Sequence, residues 1–163
     1  MREETDRNAI IGSVHALFSG KGLTLSAAES CTGGLVCHYL TVLPGASIFF
    51  RGGLVTYSNE TKIWLLGISP ALIERHGVVS EETVRVMAEK ARDLVQTDYS
   101  VATTGNLGPG TLEGKERGLV YLAVSGRGAT FSKRVVLTGN RAENREEAAL
   151  LALRFLLATA ESG

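Results

Sequence analysis

The chain has 163 residues, 44% apolar and 21% charged, which suits one compact domain over residues 1–163 whose core needs neither disulfides nor a structural metal. Its 17 basic and 17 acidic side chains cancel, so no global field draws it to nucleic acid or an anionic membrane, although one arginine can still be aimed at a small anion. Cys31 and Cys37 form neither a CxxC pair nor a zinc pattern with the three histidines, and the acidic start has no signal-peptide layout, so a reduced, cytoplasmic chain is expected.

Ile10, Val14, Leu17 and Phe18 recur at helical spacing, and Gly20-Lys21-Gly22 stops that helix. Leu23 to Ala28 reads as a short strand. Glu29-Ser30-Cys31-Thr32-Gly33-Gly34 turns into a helix carrying Leu35, Val36, Tyr39, Leu40 and Leu43, and Pro44-Gly45 ends it. No formal charge occurs between Glu29 and Arg51, but Gly33, Gly34, His38, Pro44 and Gly45 interrupt the stretch. It therefore reads as buried helix, turn and strand, not as a membrane span. Ile48 to Tyr57 has strand character broken by Gly52-Gly53, which predicts a bulge or a close backbone approach.

Ser58 or Asn59 caps a helix through Lys62 to Leu66, closed by Gly67. Ser80 caps the next, with Glu81 and Glu82 in its first turn and Val84, Met87, Ala88, Ala91 and Leu94 as its apolar face. Tyr99 to Thr104 is a strand running into a glycine-rich loop, Gly105 to Gly118. Leu119 to Ser125 and Thr130 to Leu137 form a hairpin across Gly126-Arg127-Gly128, and a final helix runs from about Arg141 to Ala160. Strands alternating with helices predict a three-layer α/β/α sandwich around a mixed, mostly parallel sheet.

Four segments can carry chemistry, and each also has a structural reading. In the Glu29–Gly34 turn, Ser30 can act as a nucleophile beside backbone N–H groups at a helix start, or Ser30 or Thr32 can simply cap the helix. Lys62 lies in a first helical turn, where the macrodipole and burial both disfavour its charge and yield a proton-accepting amine; alternatively it is solvated, with Tyr57 a half-buried strand residue. The loop after Thr104 and Gly105 follows a strand end, where α/β sheets bind ligands, yet lacks the Lys-Ser/Thr ending of a nucleotide P-loop. Arg141 and Arg145 share one helix face, either gripping an anion or pairing with Glu143, Glu146 or Glu147. His15, His38 and His76 read as core, boundary or helix-end residues, and Trp64 as packing. Cys31 sits near a helix start, a position that lowers a thiol pKa.

Together these segments resemble the CinA C-terminal domain family, the PncC-type nicotinamide-nucleotide amidases. The matching stretches are AESCTGGL, PGAS, FRGGLVTYSNETK, LLGI, HGVVSEETV, TTGNLGP and GNRAENR, in family order over roughly residues 5 to 158. The resemblance implies a bacterial amidohydrolase that releases ammonia from nicotinamide mononucleotide, within pyridine-nucleotide recycling. It implies Ser30 as nucleophile, Lys62 as base and Tyr57 as its assistant. Thr32, Gly33, Gly34, Thr104, Gly105, Arg141 and Arg145 fall to substrate binding. It implies no metal or organic cofactor, and a homo-oligomer to which Ile48-Phe49-Phe50 can contribute, unless that segment is core; the expectation of no nucleic-acid or membrane partner comes instead from the balanced charge. The chain departs from the family twice. The usual T-G-I-A-G-P with a later K-P-V-G is here Thr104 to Pro109 followed by Lys115-Glu116-Arg117-Gly118, a shorter loop without the stiffening proline. The usual G-D-R is Gly139-Asn140-Arg141, which removes a carboxylate that could cap the last helix or fix the arginine. Two other readings fit the same residues: a ligand-sensing module without turnover, and a serine–lysine amidase for another small amide.

Overall fold

The computed structural model describes residues 2–162; Met1 and Gly163, the two ends of the unit read from the sequence, lie outside it. In chain order the elements are α1 (Arg2–Lys21), β1 (Leu25–Glu29), α2 (Leu35–Thr41), β2 (Phe50–Val55), α3 (Asn59–Leu66) and α4 (Pro70–His76). They continue with α5 (Glu81–Val95), β3 (Tyr99–Gly105), β4 (Leu119–Ser125), β5 (Thr130–Val136) and α6 (Arg141–Glu161). The strands form one sheet in the order β2-β1-β3-β4-β5. β2, β1 and β3 are parallel, while β4 and β5 are joined by antiparallel ladders, so the sheet is mixed as expected.

Burial follows from strand position. β1 lies between two parallel neighbours with helices over both faces, and all five of its residues are buried. The edge strands β2 and β5 instead alternate between half-buried and exposed positions for most of their length. On one face Leu25, Ala27, Val101, Val120 and Leu122 pack against α1, α2 and α6. On the other, Ala28, Ala102 and Ala123 pack against Val84, Met87, Ala88 and Ala91 of α5, with Leu66 and Ile68 alongside. The result is the three-layer sandwich.

Both consequences expected of Gly52-Gly53 are present. The β1–β2 register slips between Leu25 and Ser26, and a Cβ on Gly53 would collide with the Cys37 sulfur of α2. Pro70–His76 is a helix whose end, but not whose start, was legible in the sequence. Leu94 is 57% exposed and lies off the buried face of α5, and Trp64, expected to pack, is 77% exposed. Phe49 is fully buried whereas Ile48 is exposed, so the apolar segment there is divided between core and surface. His15 bonds the Leu40 carbonyl at 3.0 Å and meets Phe49 edge-on, as suits a boundary residue. Among the described residues no helix is long and apolar enough to cross a membrane.

Candidate active site

Parallel α/β sheets gather ligands where the strands' carboxyl ends fan apart. Here three chain segments leave β1, β2 and β3 at that edge and deliver Ser30, Thr56-Tyr57 and Thr104-Gly105 to one place. The N-terminus of α6 adds Arg141. Between them lies a cavity of about 330 Å3, lined by Ser30, Tyr57, Lys62, Thr104 and Arg141 among others. A larger cavity of about 640 Å3 lies elsewhere, against Arg127, Phe131 and Phe155, and gathers none of the candidate catalytic or substrate-binding residues. Volume therefore does not locate the chemistry; converging functional groups do.

Lys62 is 1% exposed, which overturns the solvated reading. Its Nζ lies 3.0 Å from Ser30 Oγ, 2.8 Å from the Thr56 carbonyl and 3.4 Å from the Tyr57 carbonyl. Burial pushes the ammonium down from 10.5 to about 8, because the charged form loses hydration that two carbonyls only partly replace. The geometry also fixes direction. If the two hydrogens of a neutral amine go to the two carbonyls, the lone pair faces Ser30 and accepts its hydroxyl proton. Tyr57 reaches Lys62 through its main chain; its side-chain hydroxyl accepts from Arg141 Nη2 at 2.8 Å instead.

The turn after Ser30 is built around Glu29, a fully buried carboxylate. Its oxygens accept from the amides of Gly34 (3.0 Å), Val36 (3.1 Å) and Cys37 (2.7 Å) and from the Thr32 hydroxyl (2.5 Å). Glu29 thus consumes the N–H groups that open α2. This corrects the expectation that either Ser30 or Thr32 caps the helix: Gly34 holds the cap position, at φ 99°, with no side-chain cap. It also narrows the expected oxyanion site, since Gly33 N donates to Ser30 O (3.1 Å) and Gly34 N to Glu29. In the Cys31–Gly34 turn, only the amides of Cys31 and Thr32 donate to no other residue among those described, the Cys31 amide lying against its own thiol. Thr32 is buried beneath the turn against Thr103, at 2.7 Å. Burial pushes the Cys31 thiol up to about 12, opposite to the lowered value that a helix start suggested.

Arg141 and Arg145 part company. Arg141 donates to the Gly108 carbonyl at 2.7 Å and to Tyr57, and meets no carboxylate among the described residues. Arg145 turns to the back of the serine turn, donating to the Thr32 carbonyl at 2.7 Å and to that of Gly33 at 3.5 Å. The ion pairs considered for them go elsewhere, Glu146 to Arg7 and Glu143 to the backbone of Asn140. Asn140 takes over the capping role of the missing carboxylate, its side chain accepting from Ala142 N and Glu143 N while Glu143 closes a capping box, but it makes no bond to Arg141.

Thr104 is buried and its hydroxyl donates to the Val78 carbonyl at 2.7 Å, leaving only acceptor capacity towards the cavity. Asn106, which stands where the sequence departs from the family pattern, stitches the glycine loop. Its Nδ2 donates to the Gly110 (3.0 Å), Lys115 and Glu116 carbonyls, and its Oδ1 accepts from Gly108 N. The roles of Glu29 and Asn106 were missed in the sequence. A single carboxylate opening the uncharged stretch to Arg51 was the available signal for the first. Among the described residues no cluster of His, Cys, Asp and Glu is arranged to hold a metal.

A hydroxyl facing a buried amine at the strand ends of a three-layer α/β sandwich is the class of site this fold presents. The chain belongs to the CinA C-terminal domain family, whose sequence profile matches residues 7–160. It is 43% identical over 133 residues to the nicotinamide-nucleotide amidohydrolase PncC of Shewanella oneidensis, covering 81% of this chain and 31% of that protein. To a putative competence-damage inducible protein of Moorella thermoacetica it is 40% identical over 153 residues, 93% of this chain and 37% of the other. The chain spans about a third of the length of the curated relatives it matches. A solved competence or damage-inducible protein from Enterobacter asburiae superposes with a TM-score of 0.90 at 35% identity, over 93% of this chain and 96% of that one.

Proposed function

We propose that this chain is an amidohydrolase that deamidates nicotinamide mononucleotide, with Ser30 as nucleophile and Lys62 as its base. The reading rests on one observation: Lys62 Nζ lies 3.0 Å from Ser30 Oγ, buried, with its remaining hydrogens directed at two carbonyls. Neutral Lys62 takes the Ser30 proton as Oγ bonds to the carboxamide carbon. The Cys31 amide, next after the nucleophile and bonded to no other residue, donates to the resulting oxyanion; one such donor is worth about 3–4 kcal/mol of barrier. Lys62 returns its proton to the departing nitrogen, ammonia leaves, and the acyl group stays on Ser30. Water then attacks that carbonyl, giving one proton to Lys62, and release of the acid restores the hydroxyl.

Arg141 supplies orientation: three of its five N–H donors remain for a phosphate at the cavity mouth. The name of the Shewanella oneidensis relative supports the choice of substrate. Ammonia release from nicotinamide mononucleotide by the purified chain, abolished in Ser30→Ala, is the test. Binding without ammonia would select a sensing module, and release only from phosphate-free amides would select another substrate.

A further inference from the structure

The cavity wall opposite Ser30 is formed by the tip of the 106–117 loop resting on the α4–α5 connection, and two charged side chains hold it there. Glu113 Oε1 accepts from Val78 N at 2.8 Å and Oε2 from Val79 N at 3.2 Å. Lys115 Nζ donates to the carbonyls of His76 (2.9 Å) and Val79 (2.5 Å) and meets Glu113 at 3.3 Å. A carboxylate thus takes two amides and an ammonium two carbonyls of the same four-residue segment, so the backbone of 76–79 is read on both its donor and acceptor sides.

Two features mark this contact as selected by more than loop closure. Leu112 to Lys115 is a turn closed by Lys115 N on the Leu112 carbonyl at 2.9 Å, with φ +55° at Glu113 and +68° at Gly114. Two consecutive positive φ values call for Asn-Gly or Gly-Gly, and a glutamate there is held against its backbone preference. Gly77, at φ +80°, is the matching socket: a Cβ on it would run into both the Glu113 carboxylate and the Lys115 ammonium. Val78, Val79, Leu112 and Glu113 all line the cavity that holds Ser30 and Lys62.

We propose that Glu113 and Lys115 are positioning residues, a latch seated in the Gly77 socket that holds the 106–117 loop closed as the substrate-binding wall of the Ser30–Lys62 pocket. The latch rests on the amidase reading for its kinetic consequence but not for its structural one. It hydrogen-bonds to neither Ser30 nor Lys62, so its loss loosens ground-state binding; the Glu113 charge also favours the Lys62 ammonium from a distance, so Glu113→Ala additionally moves the onset of activity to lower pH, which Lys115→Met does not.

The test pairs a substrate-free readout with a kinetic one. Cys31 lines the same cavity and is 7% exposed, so its alkylation by N-ethylmaleimide, resolved from Cys37 by peptide mapping, reports whether the wall is closed. Glu113→Ala and Lys115→Met should each speed Cys31 alkylation about tenfold, and the double variant no further, because the two side chains act as one unit. In the same proteins KM for the nucleotide should rise about tenfold with kcat within about threefold, the loss expected from charge-assisted bonds to a loop. Added formate, a free carboxylate for the vacated amides, should reverse both effects in Glu113→Ala but not in Lys115→Met. Unchanged alkylation in variants that retain the wild-type melting temperature overturns the latch, as does a fall in kcat at constant KM. Wild-type protein that releases no ammonia counts against the amidase reading alone, and the alkylation rates still decide the latch.

Discussion

The pocket has two walls, held in different ways. On the Ser30 side a buried carboxylate, Glu29, collects four donors from the turn and from α2, and Arg145 grips the turn's carbonyls from behind. On the loop side the groups that hold the chain, Glu113 and Lys115, are themselves part-exposed and reach across to another segment. The difference is one of energy scale. Disrupting the first wall strands several donors in a dry interior, whereas disrupting the second returns them to water. The proposed chemistry therefore stands on the wall that cannot shift, and substrate selection on the one that can be re-cut without loss of the fold.

Several substitutions would break or sharpen that contrast. The largest effect belongs to the dyad itself: Ser30→Ala and Lys62→Met should each lower the rate of ammonia release at least about a thousandfold with the fold intact by circular dichroism. Next comes Glu29→Ala, which orphans four donors and should cost at least about 3 kcal/mol in urea unfolding; a loss under about 1 kcal/mol would mean that the first wall is held by something else.

The pH dependence follows from Lys62. Because only the neutral amine accepts the Ser30 proton, kcat/KM should climb with pH and level off above about 8. The folded chain binds this proton more weakly than the unfolded one, whose amine sits near 10.5. Between pH 8 and 10.5 the unfolded state thus holds the extra proton, and the amine's contribution to stability rises with pH across that window; below it the buried charge is a net cost. Lys62→Met should flatten that part of the stability profile, which urea titrations at pH 7 and pH 10 would reveal.

The two arginines separate the walls most cleanly. Arg141→Ala should raise KM for the phosphorylated amide about tenfold while leaving a phosphate-free amide within about twofold. Arg145→Met, behind the serine turn, should instead lower kcat a few-fold at nearly constant KM, the smallest effect of the set. A KM effect from Arg145 would return it to the binding role that the sequence suggested.

Local rules carried much of the architecture. The apolar spacing of α5, its Ser80 cap, the β4–β5 hairpin and the Gly52-Gly53 irregularity are short-range consequences of residue type, and they stand where the sequence put them. Leu94 and Trp64 mark the limit of such rules, because an apolar side chain specifies a preference for burial but not whether a neighbour will arrive to cover it. The family resemblance named Ser30 and Lys62 as partners, 32 residues apart, whereas each segment by itself favoured a structural reading.

The sequence by itself determined all the elements but the start of α4, together with the turn that carries Ser30 and the capped start of α3 that carries Lys62, since propensity, capping and periodicity act over a few residues. Only the tertiary structure decided that the lysine is dry and faces the serine, that Glu29 fills the helix start expected to bind an anion, and that two arginines one turn apart serve different walls. Dielectric environment, donor satisfaction and side-chain direction depend on what the rest of the chain brings alongside, and no local pattern encodes that.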